Sequence, residues 1–305
     1  MKINKLTLFL TASLLALGAH AQDTYAEKLG WPKGAKVVIF HVDDPGMSYS
    51  SNQGTIKSVE QGVATSCSIM FPCPWSASFV NYIKKSNPNL DAGVHLTLTS
   101  EWRDYRWTPL AGFQNVPSLV DNEGNLWHEV AQVVKNGTAD DVEKEIRAQV
   151  ERALRMGLKP THLDSHMGTL QLRPEFFDIY LDLAVDFGLP LRLSGASTER
   201  AVGFPFRRLA AEEGVVFPDH FLHVQGLGSR GAIAAVLADL RPGVTEIYLH
   251  PAVDTPELRA IAPDWVDRVD DHDYLTDRNG LAADVAAAGA SLIGYRELRP
   301  LQQAG

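Results

Sequence analysis

Short apolar runs rich in β-branched residues alternate along this chain with stretches whose apolar positions recur every three or four residues. The first run, residues 36–40, reads as a buried strand that Pro45-Gly46 breaks just beyond Asp43-Asp44. Helical spacing near 52–61 leads to a strand over 64–71, and a helix over 76–85 closes at Asn87-Pro88. A third strand over 91–98 carries Gly93-Val94-His95, and an aperiodic polar and aromatic segment follows over 99–137. Val142, Ile146, Val150 and Leu154 then recur every four residues behind Thr138, with acidic residues in the first turn. Further strands are expected at 160–166, 190–193, 215–224, 245–249 and 291–294. Helices are expected at 174–187, 230–240 and 280–288 between them.

This alternation predicts parallel βα units in a single α/β domain without internal repeats. The polar residues choose between the two common architectures. Asp43, Asp44, His95, His166, Arg192 and His250 fall at or near the C-terminal ends of different strands. An open doubly wound sheet would gather such residues at one crevice, whereas a barrel spreads them around one rim. A distorted TIM-type β/α barrel is the expectation.

Residues 1–21 stand apart from this pattern. Lys2 and Lys5 precede an apolar run over 6–17 that is short for a bilayer span, and Ala19-His20-Ala21 resembles a small-residue cleavage site. The expectation is a signal peptide cut before Gln22, a periplasmic or secreted mature chain, and a barrel domain over 22–305. Loss of Lys2 and Lys5 takes the formal charge from −9 to −11. An acidic chain without basic clusters argues against nucleic acid or anionic lipid as a partner. Cys67 and Cys73 would lie roughly 20 Å apart on an extended strand, beyond the ~7 Å limit for a bridge, and only a turn at Pro72 or Pro74 could join them, so two thiols are expected. Two cysteines are also too few for a zinc knuckle.

The densest chemistry is Pro160-Thr161-His162-Leu163-Asp164-Ser165-His166, which puts His162, Asp164 and His166 on one face of a strand. They could simply be interior groups satisfied by hydrogen bonds. The Asp43-Asp44 pair could be a turn cap, His95 a buried core histidine, and Arg192 a surface residue. Together, however, one carboxylate and two histidines make a facial set for a divalent cation with open positions. His162 and His166 are about 13 Å apart along extended chain, too far to share an ion. His166 lies nearer the rim and is the better ligand, which leaves His162 and Asp164 as supports. His250, before Pro251, could protonate a leaving group, and Arg192 could orient a carboxylate base. Trp102, Tyr105 and Trp107 could form a wall on which a sugar ring stacks, or a loop packed on the barrel.

At these motifs the chain resembles the YdjC-like carbohydrate deacetylases, which include chitooligosaccharide deacetylases. The resemblance is carried by His41-Val42-Asp43-Asp44-Pro45-Gly46 with Asn52-Gln53-Gly54, by Gly62-Val63-Ala64-Thr65-Ser66, and by Gly93-Val94-His95-Leu96-Thr97-Leu98-Thr99. It continues through residues 160–166 to Thr245-Glu246-Ile247-Tyr248-Leu249-His250-Pro251, spanning roughly 36–297. It implies a barrel-like enzyme that removes acetyl groups from N-acetylated, or O-acetylated, sugars with one divalent metal ion, Zn2+ or Mg2+. By motif position, the resemblance implies Asp44, His95 and His166 as metal ligands, Asp43 as base, His250 as acid and Arg192 as the residue that tethers the base. The substrate it implies is an acetylated oligosaccharide or amino sugar. The chain departs from the family where Pro45 replaces the usual Phe, and where Met167-Gly168-Thr169 stands in place of further histidines. Two rival functions share these residues: a metal-dependent hydrolase of another amide, ester or phosphoester, and a non-catalytic periplasmic glycan-binding protein.

Overall fold

A computed structural model describes residues 23–222, 229–277 and 279–303, so the expected leader at 1–21 lies outside the described residues. Among the described residues seven strands form one sheet: β1 (Lys36–Val42), β2 (Ser66–Ile69), β3 (Ala92–Leu96), β4 (Leu163–Ser165), β5 (His220–Leu222), β6 (Gly243–Leu249) and β7 (Ser291–Leu292). All pairings are parallel. The order is β4-β3-β2-β1-β6-β5, and the short β7 pairs with the start of β1. Residues 190–193, expected as a strand, contribute only a single bridge between Leu163 and Leu191. Pro190 has no N–H to give a ladder. Its carbonyl accepts from the Leu163 N–H at 3.0 Å, and the Arg192 N–H donates to Leu163 O at 3.0 Å. On the other side the Leu191 N–H donates to Val216 O at 2.9 Å. This thin link joins the β4 edge to the chain entering β5 and curls the sheet into a distorted barrel in one domain.

Alternation along the strands separates two cores. Val38, Phe40 and Val42 face outward and pack with Ile69, Val94 and Leu96 under the surrounding helices. Val37 and Ile39 face inward and close the bottom of the barrel with Val244, Val216, Ile293 and Tyr295. Above this apolar plug the inward positions turn polar: His41, His162, Arg192 and Glu246 are all buried. One glycine makes that layer possible. A Cβ on Gly93 would stand 2.6 Å from the His162 ring, so β3 can pass the imidazole only without a side chain there.

The amphipathic helices form close to where the pattern places them, at Tyr49–Glu60, Ser76–Ser86, Ala139–Arg155, Pro174–Phe187, Ser229–Ala238 and Leu281–Ala287. Thr138 caps the third of these, its hydroxyl accepting from the Asp141 N–H at 3.3 Å. The segment 99–137 is mainly irregular, with a helix at Val130–Asn136. The helix Trp265–Thr276 has no periodic signature in the sequence. The expected strand over 215–224 is represented by β5, and its last two residues lie outside the described residues. Cys67 and Cys73 are free and buried, and no helix among the described residues is long and apolar enough to cross a membrane.

Candidate active site

The end of β1 delivers two adjacent carboxylates to the same rim. They would point oppositely in a straight strand, but Asp44 adopts the left-handed conformation with φ 72°, which Asp tolerates better than most residues. Asn52 secures the turn: its Oδ1 accepts from the Gly46 N–H at 2.7 Å, and its Nδ2 donates to Trp75 O at 3.1 Å. Asp43 and Asp44 are both buried at the floor of a cavity of about 540 Å³ that His166, Arg192 and His250 also line.

Three atoms converge there. His95 Nε2 lies 3.0 Å from His166 Nδ1 and 3.4 Å from Asp44 Oδ1, and His166 Nδ1 lies 3.6 Å from the same oxygen. Each imidazole is anchored through its other nitrogen. His95 Nδ1 meets Asp164 Oδ1 at 2.7 Å and Ser68 Oγ at 3.1 Å, and His166 Nε2 meets Glu101 Oε1 at 2.8 Å. With those nitrogens carrying the protons, lone pairs and a carboxylate oxygen face one another. Asp44 Oδ1 is buried without a hydrogen-bond partner among the described residues. Ligand atoms about 2.1 Å from one centre stand roughly 3.0–3.4 Å apart, so these residues fit a small divalent cation.

Two neighbouring His/carboxylate trios do not fit as well. His41, His162 and Asp164 also cluster, but Arg192 Nη2 lies 2.8 Å from His41 Nδ1 and Nη1 lies 3.3 Å from Asp164 Oδ2. A guanidinium already supplies the positive charge. The trio of Asp43, His95 and Asp164 spends both Asp43 oxygens on Arg192 and Asp164 Oδ1 on His95.

Arg192 clamps Asp43 as a fork, Nη1 donating to Oδ2 at 2.7 Å and Nη2 to Oδ1 at 2.8 Å. Its Nε donates to Glu246 Oε1 at 2.7 Å. Burial alone would raise the Asp43 pKa, but Arg192 and then His95 hold it well below the usual carboxylate range. Asp44 is lowered as well, chiefly by Arg268 against the effect of burial; Arg268 Nη1 donates to its Oδ2 at 2.8 Å. Burial would depress His95, yet Asp164 and then Asp43 push it up to about 9. A proton therefore occupies this cluster when no metal does. His250 stands at the end of β6, its N–H donating to Asp271 Oδ2 at 2.9 Å and its Nε2 3.9 Å from Asp43 Oδ2. Burial lowers its pKa.

The structure thus gathers Asp43, Asp44, His95, His166, Arg192 and His250 around one floor. Asp164 lies behind His95, and His162 lies deeper still, hydrogen-bonded to His41 at 2.8 Å. Of the two expectations for the aromatic segment, a sugar-stacking wall or a packed loop, the structure takes the loop for Tyr105 and Trp107. Trp102 lines the cavity, but Tyr105 and Trp107 do not. Trp107 is buried and donates its Nε1–H to Thr99 O at 2.8 Å, and the Tyr105 hydroxyl donates to Met47 O. One polar tip is spent inside the loop and the other on the turn after β1, so both rings pack the loop onto the barrel. The cavity's other aromatic surface is Phe221 stacked on Tyr248, with centroids 5.4 Å apart and planes 7° apart.

Sequence reasoning missed Glu101, Arg268 and Glu246 as partners of the site. Glu246 sits in a quoted motif two positions from Tyr248, on the inward face, which is a usable cue. Glu101 lies in the aperiodic segment, and Arg268 lies among Asp264, Asp267, Asp270 and Asp271, where it reads as a solvated charge.

Comparison with known proteins adds an independent line. The family model described as YdjC-like protein matches residues 37–283. A carbohydrate deacetylase of Thermus thermophilus is 34% identical over 253 residues, covering 81% of this chain and 88% of its own. A carbohydrate deacetylase of Geobacillus stearothermophilus is 33% identical over 265 residues, covering 86% and 98%. The crystal structure of an Enterococcus faecalis protein, described as acting in cellobiose-phosphate cleavage, is similar with a TM-score of 0.76. It is 26% identical and covers 87% of this chain and 99% of that one.

Proposed function

The chain belongs to the YdjC-like protein family, and from that premise and the site geometry we propose that it is a metal-dependent carbohydrate deacetylase. Its substrate would be an N-acetylated or O-acetylated oligosaccharide or amino sugar. The observation that carries the reading is Asp44 Oδ1, buried without a partner between two imidazole nitrogens and beside a second, clamped carboxylate. The relatives named carbohydrate deacetylase support the substrate class.

Asp44, His95 and His166 would hold the cation. When bound, it would polarise the acetyl carbonyl and lower the pKa of an attacking water. Two nitrogens and one oxygen favour Zn2+ or another transition ion, whereas Mg2+ prefers oxygen donors. Asp43 stays ionised at neutral pH because Arg192 stabilises its charge, and it takes the proton that water loses on attack. Holding both Asp43 oxygens in a fork fixes the carboxylate plane before substrate arrives. His250, kept neutral by burial and close to Asp43, can collect that proton and hand it to the departing amine. The proton released by water thus ends on the leaving group. Trp102, Phe221 and Tyr248 offer apolar surface to a sugar ring. Among the described residues both guanidiniums lining the cavity are already committed to carboxylates, which suits an uncharged saccharide. The basic and apolar leader at 1–21 supports a substrate outside the cytoplasm.

The test is an acetate-release screen over N-acetylated and O-acetylated saccharides, with metal content measured on the same sample. Acetate release that stops on chelation and returns with metal is expected. Release of phosphate or a different acid without acetate would overturn the reading. So would metal-independent sugar binding without turnover.

A further inference from the structure

Beneath the cavity floor, four buried side chains that the proposed chemistry does not use form one hydrogen-bonded line. Asp91 precedes β3, at the end of the barrel away from the rim. Its Oδ2 accepts from the Arg296 N–H at 2.6 Å, and the carboxylate packs so tightly on Gly294 that no Cβ fits there. Its Oδ1 takes the Thr161 hydroxyl.

From that anchor each proton is assigned in turn. The Thr161 hydroxyl proton is committed to Asp91, so Thr161 Oγ1 accepts from His162 Nδ1, 2.9 Å away. His162 Nε2 then carries a lone pair and accepts from His41 Nε2 at 2.8 Å. His41 Nδ1 is left as an acceptor, and Arg192 Nη2 lies 2.8 Å from it. The His162 ring is held flat against Tyr295, with centroids 4.0 Å apart and planes 13° apart, and the Tyr295 hydroxyl donates to Glu246 Oε2. Glu246 Oε1 accepts from Arg192 Nε at 2.7 Å. Two chains therefore reach the same guanidinium from below.

The state of His41 Nδ1 matters because Asp43 Oδ1 lies only 2.9 Å from it. A proton on Nδ1 would face the Arg192 N–H and add a further donor to Asp43, weakening it as a base. We propose that Asp91, Thr161, His162 and His41 are positioning residues: they fix His41 as the Nε2–H tautomer, so that Arg192 alone clamps Asp43. This rests on the reading of Asp43 as the base, though the tautomers themselves do not.

The experiment uses full-length protein labelled with ¹⁵N-histidine, read by imidazole NMR and by kinetics. The parent is expected to show neutral His41 protonated at Nε2 and neutral His162 protonated at Nδ1. Thr161→Val deletes the hydroxyl at nearly constant volume and should disturb both tautomers. It should lower kcat about tenfold, the scale of one hydrogen bond, with KM and metal content unchanged, and Thr161→Ser should restore the parent. Should Thr161→Val fail to fold, Asp91→Asn carries the same test. Its amide cannot accept from both Thr161 and the Arg296 N–H, so the line should invert with the same kcat loss. A parent His41 protonated at Nδ1, or variants with altered tautomers and parent kcat, would overturn the proposal. Asp43→Asn with parent kcat but intact parent tautomers would instead sink the base assignment and leave the tautomer line standing.

Discussion

Two groups of histidines and carboxylates share this barrel and come to opposite arrangements. At the rim, Asp44, His95 and His166 turn acceptor atoms toward one another, and Asp44 Oδ1 finds no donor among the described residues. Just below, His41, His162, Thr161 and Asp91 line up so that each donor meets an acceptor. One stretch of seven residues feeds both groups: His166 goes to the upper, His162 to the lower, and Asp164 braces His95 between them. Residue type therefore does not separate a ligand from a support. The supply of protons does. Acceptors gathered without donors call for a cation, whereas a matched chain needs none.

The largest effect should come from breaking the upper group. His166→Ala is expected to lose bound metal and activity together, which metal analysis after gel filtration and acetate release would show. Glu101→Gln removes only the anchor of His166 and should cost the roughly 10–100-fold in metal affinity typical of such outer partners. A His162→Gln variant that loses metal while His166→Ala keeps it would collapse the distinction.

The next effect is electrostatic and belongs to the metal-free protein. His95 is pushed from an ordinary value of 6.5 up to about 9, with Asp164 and then Asp43 overcoming burial. A raised pKa means that the folded state holds the proton more tightly. The stabilisation is fully present below pH ~6.5 and is lost as pH rises through about 9, on the order of 3 kcal/mol. Urea midpoints of the metal-free protein should fall over that window, and saturating metal should remove most of the slope because the cation takes the proton's place. A flat profile without metal would mean that His95 is not held protonated.

A smaller effect tests the lower group through its packing. Gly93→Ala would drive a Cβ into the His162 ring. It should cost about 1–3 kcal/mol by overpacking, read as a lower urea midpoint, while metal content at saturation is retained. Loss of metal with unchanged stability would show that His162 is coupled to the cation more directly than its position implies.

These contrasts also mark how far the sequence could be read. β1, β3, β6 and the helix behind Thr138 follow from runs and spacing that local physics makes nearly unavoidable, and the three strands lead directly to Asp43, His95 and His250. Residues 190–193 look like a strand, but Pro190, which has no N–H to give, leaves them a single bridge. Glu101 was hidden because the segment carrying it has no period to orient a side chain. Arg268 was hidden because its helix, Trp265–Thr276, is so acidic that its buried face does not show. The sequence leaves Trp107 open between cavity and loop because an aromatic side chain reads the same whether it meets a sugar or packs a loop. Only its indole N–H, spent on Thr99 O, tells the two apart.

The central claim is a division of labour between two adjacent carboxylates, Asp44 for the cation and Asp43 for the proton. Asp43→Asn tests it most directly, with metal stoichiometry and kcat measured on one preparation. Full metal occupancy and sugar affinity, with kcat lower by roughly 10²–10⁴, is the predicted result. Loss of the metal, or turnover at the parent rate, would contradict it.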